Sequence, residues 1–161
     1  YGAFSIGSTR FAVLDSGMPS TREEPMLFDR FAMEPYLKRE RRWLEREMAS
    51  KEWKGAANRV AFAHIPPIGD TRKEYRKINA NLYKVIENDL SLLMAGHVHD
   101  GRYHKSGGMA KFPVLTGGGP YKTRGTKGNH MATLSVLSVK GASLEVYQIG
   151  LDGKENFREK V

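Results

Sequence analysis

The chain has 161 residues, a length that favours a single domain with a core of its own. Hydrophobic residues make up 40% and charged residues 27%, which excludes a disordered chain, and no apolar run approaches the roughly 18 residues that a membrane span needs. Because cysteine is absent, disulfide scaffolds, thiol nucleophiles and iron–sulfur clusters are excluded, and a metal would need histidine, carboxylate or carbonyl ligands. The formal net charge of +8 suits an anionic partner or simply a solvated basic surface.

The first elements in chain order form a predicted β-hairpin. Two short apolar runs, residues 3–6 and 10–14, flank the turn residues Gly7, Ser8 and Thr9. The chain opens in what reads as a strand already under way, with no initiator methionine and no signal-peptide pattern. We therefore expect it to be a fragment or a processed product. Residues 18–31 carry two prolines and scattered charges, and we expect a loop there.

An amphipathic helix is predicted from Glu34, with Pro35 tolerated in its first turn. Its apolar face is formed by Tyr36, Leu37, Trp43, Leu44 and Met48. The rest of its surface is covered by Lys38, Arg39, Glu40, Arg41, Arg42, Glu45 and Arg46. We interpret this basic run as a solvated helix face rather than a nucleic-acid stripe.

The remaining pattern alternates strands with one more helix. Residues 59–64 and 90–95 are consecutive apolar runs, typical of strands covered on both faces, and a second amphipathic helix is predicted between them after residue 70. A short strand at 112–116 interrupts a stretch rich in glycine and basic residues, and strands 131–139 and 142–149 follow. The last dozen residues are polar, and we expect them to fray. This order predicts a layered α/β domain.

Three of the five histidines follow the two buried strands. His64 comes directly after the first strand, and His97 and His99 follow the second in a Gly-His-x-His pattern that begins at Gly96. Ligands of layered α/β sheets bind beyond the carboxyl ends of the strands, so these imidazoles are candidate metal ligands. The alternative for His64 alone is a hydrogen-bonded core histidine. His104, with Asp100 and Arg102, either lines the same cleft or faces solvent.

Four motifs together resemble the calcineurin-like metallophosphoesterases, most closely their purple-acid-phosphatase-like branch. They are Phe-x-x-Leu-Asp-Ser at 11–16, Arg-Trp-Leu-Glu at 42–45, His-x-Pro-Pro at 64–67 and Gly-His-x-His at 96–99. The resemblance covers residues 1–150 as the C-terminal half of the catalytic domain, followed by a polar tail at 151–161. It implies an α/β fold, a layered sandwich of mixed β-sheets flanked by helices, with two metals at the strand ends.

The resemblance also implies a function. His64 and His97 match ligands of one divalent metal and His99 matches a ligand of the other, the pair being Mn, Fe or Zn, and the substrate would be a phosphate ester. The family's Asp-x-His and Gly-Asp-x-x-Asp ligand motifs are absent from this sequence. We therefore expect the chain alone to hydrolyse phosphate esters poorly or not at all and to need the missing N-terminal half of the domain. The branch favours a periplasmic or extracellular location.

Two other functions remain open. One is a non-catalytic anion-binding or nucleic-acid-binding module that uses the basic helix and a basic loop with Lys122, Arg124 and Lys127, although no nucleic-acid motif is present. The other is a degenerate, purely structural half-domain. The Gly-Asn-His triplet at 128–130 resembles a further ligand motif of the family, but it follows the Gly-His-x-His pattern, and we interpret it as a turn. The sequence identifies no catalytic residue and no substrate-binding residue.

Overall fold

The computed structural model describes residues 1–16, 33–67, 82–108, 110–119 and 132–161. The helices in these ranges are α1 (Met33–Ala49), α2 (Lys51–Gly55) and α3 (Lys84–Ile86). The strands are β1 (Gly2–Ile6), β2 (Thr9–Val13), β3 (Asn58–Ala63), β4 (Leu92–Ala95), β5 (Arg102–His104), β6 (Val114–Thr116), β7 (Thr133–Lys140), β8 (Ser143–Gly150) and β9 (Glu155–Lys160). Among the helices described, none is long and apolar enough to cross a membrane.

The strands form two sheets. The larger has the order β1-β2-β3-β4-β6-β5, with β2, β3, β4 and β6 parallel and with an antiparallel strand at each edge. The smaller is the antiparallel sheet β7-β8-β9. The predicted hairpin is confirmed, since β1 pairs with β2 in the register that places Phe4 opposite Phe11. The predicted α/β fold with mixed sheets is confirmed as well.

The parallel strands are buried on both faces, as their consecutive apolar residues predict. On β3, Val60 packs into a core between the two sheets, and its neighbour Ala61 packs into a core between the larger sheet and the helices. Leu92 and Leu93 of β4 divide in the same way, because successive side chains of a strand point to opposite faces. The three layers are therefore helices, a six-stranded sheet and a three-stranded sheet.

Helix α1 confirms the predicted amphipathic segment with one exception. Leu37 and Leu44 are buried, and the basic residues of its outer face are exposed. Glu40, which the helical pattern assigns to the polar face, is instead completely buried. It lies three residues after Leu37 and four before Leu44, on the inward side, where its Oε1 accepts a hydrogen bond of 2.7 Å from the backbone N–H of Asp15.

Three elements depart from the sequence-based expectations. The helical stretch is interrupted at Ser50, whose hydroxyl accepts from Trp53 N at 3.1 Å and begins α2. Strand β5 lies in the glycine-rich stretch and pairs with β6. The expectation of a frayed C-terminus is wrong, because β9 pairs with β8 along residues 155–160. Its Phe157 packs toward the core between the sheets, which anchors a strand that is otherwise polar.

Some expectations lie outside the described residues. These are the loop at 18–31, most of the helix predicted after residue 70, the basic loop residues Lys122, Arg124 and Lys127, and the Gly-Asn-His triplet at 128–130. The described end of that second helix includes α3, in which Ile86 is buried, and Leu82 just before it is buried too.

Candidate metal centre

The turns after β3 and β4 meet at one edge of the larger sheet. The strands are parallel with Ala63 opposite Ala95, so the residues that follow each of them emerge side by side. The N–H of Gly96 donates to the carbonyl of His64 at 3.0 Å and joins the two turns. A Cβ at Gly96 would lie 3.5 Å from Nδ1 of His64, so the imidazole stands directly against the glycine backbone.

The structure brings His64 and His97 together. Nε2 of His64 lies 3.4 Å from Nδ1 of His97, and the two rings meet edge to face with centroids 5.2 Å apart. Two imidazole nitrogens that bind one tetrahedral zinc ion at about 2.0 to 2.1 Å lie about 3.3 Å from each other. The observed separation therefore fits a shared metal ion, and the chemistry of the pair fits Zn, Fe or Mn.

The backbone around the second strand end is unusual. His97 and His99 both have left-handed conformations, with φ of 65° and 53°. The N–H of Val98 donates to the carbonyl of Gly96 at 2.7 Å and closes a three-residue turn around His97. Left-handed residues other than glycine are uncommon and carry a conformational cost. This turn aims the His97 ring at His64 instead of continuing the strand.

His99 is not part of the same pair. Its side chain is exposed, and its Cβ and Cγ pack against Gly119, where an added Cβ would come within 2.8 Å of them. Gly119 ends the run Thr116-Gly117-Gly118-Gly119, and such a glycine run is typical of a turn. Within the described ranges, no group of three or more histidine or carboxylate side chains is close enough to hold one metal ion. The ligand assignment of His99 stays a prediction.

His104 lies away from this edge. It is the last residue of β5 and pairs with Val114 at the start of β6, whereas the metal candidates follow the ends of the parallel strands. Partial burial lowers the pKa of His104, and the nearby Arg102 lowers it further against the opposing effect of Asp100. Arg102 itself forms an ion pair of 2.7 Å with Asp100. Asp100 and Arg102, in contrast, lie at the sheet end where the metal candidates are, since Arg102 pairs with Thr116 and Thr116 pairs with Ala95.

An open cavity of about 330 Å³ adjoins His64. Its walls are mostly apolar and come from the ends of β2, β3, β4 and β6, with Ser135 of β7 opposite. The lining residues are Val13, Leu14, Phe62, Ala63, His64, Met94, Ala95, Leu115, Gly117 and Ser135. The candidate centre therefore lies at the rim of a cleft between the two sheets.

Two buried side chains beneath His64 were not identified as functional from the sequence. Ser16 accepts a hydrogen bond of 2.9 Å from the N–H of Ile65, and the hydroxyl of Tyr83 donates to the carbonyl of the same residue. Ser16 ends the motif Phe-x-x-Leu-Asp-Ser, and its place in that motif is the signal in the sequence that points to it. Tyr83 gives no such signal, because it comes from a helical stretch far along the chain.

The chain has the fold of the calcineurin-like metallophosphoesterases, as its motifs predict. Among solved structures it is similar to GAP50, the anchor in the inner membrane complex of Plasmodium, with a TM-score of 0.61, 12% identity and 99% of this chain covered. It is also similar to a purple acid phosphatase from yellow lupin (Lupinus luteus) seeds, with a TM-score of 0.57, 15% identity and the same coverage.

The chain spans 52% of GAP50 and 32% of the lupin phosphatase, which fits the expectation of a C-terminal half. No family model matches the sequence, and no curated protein matches it.

Proposed function

We propose that this chain is the C-terminal half of a metal-dependent phosphoesterase. His64 and His97 would hold one divalent ion of Mn, Fe or Zn, and His99 would contribute to a second. The observation that carries the proposal is the separation of 3.4 Å between Nε2 of His64 and Nδ1 of His97. The similarity in fold to a purple acid phosphatase supports the reaction class. A periplasmic or extracellular location is part of the proposal and rests on the resemblance in sequence motifs alone.

Metal ions in such a centre polarise the phosphoryl oxygens of a phosphate ester and lower the pKa of a coordinated water. The residues of this chain would hold the metal ion, and they orient the imidazoles that bind it. His64 and His97 are aimed at a common point by turns that the sheet edge fixes, and each must be neutral at the nitrogen that binds. His64 is exposed, so a phosphate ester can approach it from the cleft.

The candidate histidines among the described residues are too few for a complete centre. Three histidines divided between two metals leave one metal with two protein ligands and the other with one, whereas an open catalytic zinc site usually has three. We propose that the N-terminal half of the domain supplies the remaining ligands, as the resemblance implies.

An uncovered apolar face supports this partner. The smaller sheet has three strands and the larger has six, so the smaller sheet does not cover the whole of the face that it packs against. On that face, no described residue covers β1 and the end of β2. Phe4, Ile6 and Val13 are 44%, 64% and 43% exposed there, and Val139 on β7 is 37% exposed. Neighbouring exposed apolar side chains of this size mark an interaction surface. A segment that extends the smaller sheet beyond β7 would cover them and reach the rim where His64 lies.

Zinc binding by the purified chain tests the metal assignment. We expect calorimetric titration at pH 7.5 to show a zinc site whose affinity falls at least about 100-fold in His64→Ala and in His97→Ala, because each change removes one of two ligands. The matched control is His104→Ala, which removes an imidazole from β5 and should leave the affinity unchanged. The chain alone should hydrolyse p-nitrophenyl phosphate no faster than buffer does, with or without Mn²⁺ or Zn²⁺.

Equal losses in all three variants would mean that zinc binds histidines indiscriminately, and the assignment would be wrong. Rapid turnover by the isolated chain that His97→Ala abolishes would contradict the incomplete centre.

A second candidate is a non-catalytic module that binds a polyanion. The basic outer face of α1 favours such a module, since five cationic side chains are exposed there. One acidic residue, Glu45, lies among them and forms an ion pair of 2.9 Å with Arg41. Those cations are Lys38, Arg39, Arg41, Arg42 and Arg46. GAP50, which is similar in fold, is named as an anchor and not as an enzyme.

Binding to single-stranded DNA at increasing salt tests this second candidate. If the α1 face binds the strand, neutralising Arg39, Arg42 and Arg46 together to Gln should reduce the slope of log K against log salt by about 2. The control neutralises three lysines of the smaller sheet and its turn, Lys140, Lys154 and Lys160. If the chain does not bind at low salt, or if the two triple variants lose the same slope, the basic face of α1 is only a solvated surface.

A further inference from the structure

The backbone of Ile65 is held at both of its polar groups by buried side chains. The hydroxyl of Ser16 accepts from its N–H at 2.9 Å, and the hydroxyl of Tyr83 donates to its carbonyl. All three residues are buried, with exposed fractions of 2% for Ser16, 3% for Tyr83 and 1% for Ile65. The two side chains come from different places, Ser16 three residues after the end of β2 and Tyr83 just before α3.

These bonds act on the residue next to His64. The carbonyl of His64 accepts from Gly96, so the peptide planes on both sides of Ile65 are fixed and the Cα–Cβ direction of His64 is fixed with them. The imidazole itself is exposed, and it stands against the backbone of Gly96. Its aim toward His97 therefore depends on the backbone beneath it.

The two hydroxyls are suited to this task over a wide pH range. Burial raises the pKa of Tyr83, so the phenol stays protonated and keeps its donor, and the nearby carboxylate of Glu40 acts in the same direction. The hydroxyl of Ser16 does not titrate. Losing either bond would leave a buried backbone group of Ile65 without its partner, which the turn could relieve only by moving.

We infer that Ser16 and Tyr83 are positioning residues that fix the turn at Ile65 and thereby aim the imidazole of His64 at that of His97. The inference rests on the proposed function in so far as this aim serves metal binding. It assigns to Ser16 and Tyr83 a role in the centre although neither touches the metal.

The test compares two serines that accept the same kind of bond from backbone N–H groups, one in the turn after β3 and one near the start of β3. Ser91 accepts from the N–H of Arg59 at 3.1 Å, at the opposite end of β3 from His64. We expect Ser16→Ala and Ser91→Ala each to destabilise the chain in urea, while only Ser16→Ala lowers its zinc affinity, by 10-fold or more. Ser16→Thr, which keeps the hydroxyl, should restore the affinity. Tyr83→Phe should lower it as Ser16→Ala does.

A second readout needs no metal. In the metal-free chain, nuclear Overhauser contacts between the rings of His64 and His97 should be present in the wild type and in Ser91→Ala, and weakened in Ser16→Ala and Tyr83→Phe. If the wild type binds no zinc but the ring contacts follow this order, the proposed function fails and the positioning role stands. If both variants keep the ring contacts and the zinc affinity of the wild type, the positioning role is wrong. The positioning role is also wrong if Ser91→Ala changes the ring contacts and the zinc affinity as much as Ser16→Ala does.

Discussion

A Glu40→Gln variant should lose most of the pH dependence that the wild type shows in its free energy of unfolding between pH 5 and 8. Burial raises the pKa of Glu40 from 4.5 to about 7, and the neighbouring Asp15 carboxylate adds to the rise, against the hydrogen bond from the Asp15 N–H and the positive charge of the chain's amino group. Oε2 of Glu40 has no hydrogen-bond partner among the described residues. The carboxyl is therefore more easily accommodated when protonated.

The sign follows from proton binding. Between pH 4.5 and 7 the folded chain holds a proton on Glu40 that the unfolded chain has lost, so stability falls as the pH rises through this window. The full difference corresponds to about 3 kcal/mol by pH 8. Urea unfolding at pH 5, 6, 7 and 8 measures it. The control is Glu45→Gln on the exposed face of α1, which should unfold with the wild-type dependence. Parallel curves for the wild type and Glu40→Gln would contradict the prediction.

Replacing Trp53 by alanine should destabilise the chain by about 3 to 5 kcal/mol, a large share of the stability of an ordinary domain. The indole is 1% exposed and fills the core between α2 and the larger sheet. Its loss would leave a cavity that rigid neighbours cannot fill. Urea denaturation at pH 7 gives the difference in free energy of unfolding.

The variant Trp53→Phe separates the effect of the ring volume on stability from the effect of the unpaired N–H. Nε1 of Trp53 is buried and has no acceptor in the part of the chain that the structure describes. Phenylalanine retains much of the ring volume and removes this unpaired N–H, so its cost should be well below that of alanine. Trp43→Ala, at a half-buried position on α1, is the comparison for a partly exposed ring. If Trp53→Phe lowers the free energy of unfolding as much as Trp53→Ala does, the stability of this core depends on the shape of the indole and not on its volume.

Local patterns predict the central elements well. The hairpin of β1 and β2, the buried strands β3 and β4 and the amphipathic helix α1 all follow from the spacing of apolar residues and from turn residues. The pairing of His64 with His97 follows from one further rule, that residues after parallel strands emerge at the same edge. These features depend on a few neighbouring residues or on the direction of a strand, and both can be inferred from the sequence.

The features that the sequence misses are set by distant partners. Glu40 reads as polar helix surface because its burial depends on a backbone N–H at Asp15, 25 residues away. The short strand β5 exists because β6 offers it an edge, and the polar strand β9 is ordered by pairing with β8. The packing of His99 against Gly119 likewise joins two turns that no periodicity connects.

The left-handed backbone at His97 and His99 lowers folding stability, because each of these residues carries a Cβ. Glycine adopts these dihedral angles without the roughly 1 kcal/mol that a side chain with a Cβ incurs at each position. Stability alone would therefore favour glycine at both positions. Histidine at both positions therefore costs folding stability, as a turn that also has to present imidazoles would.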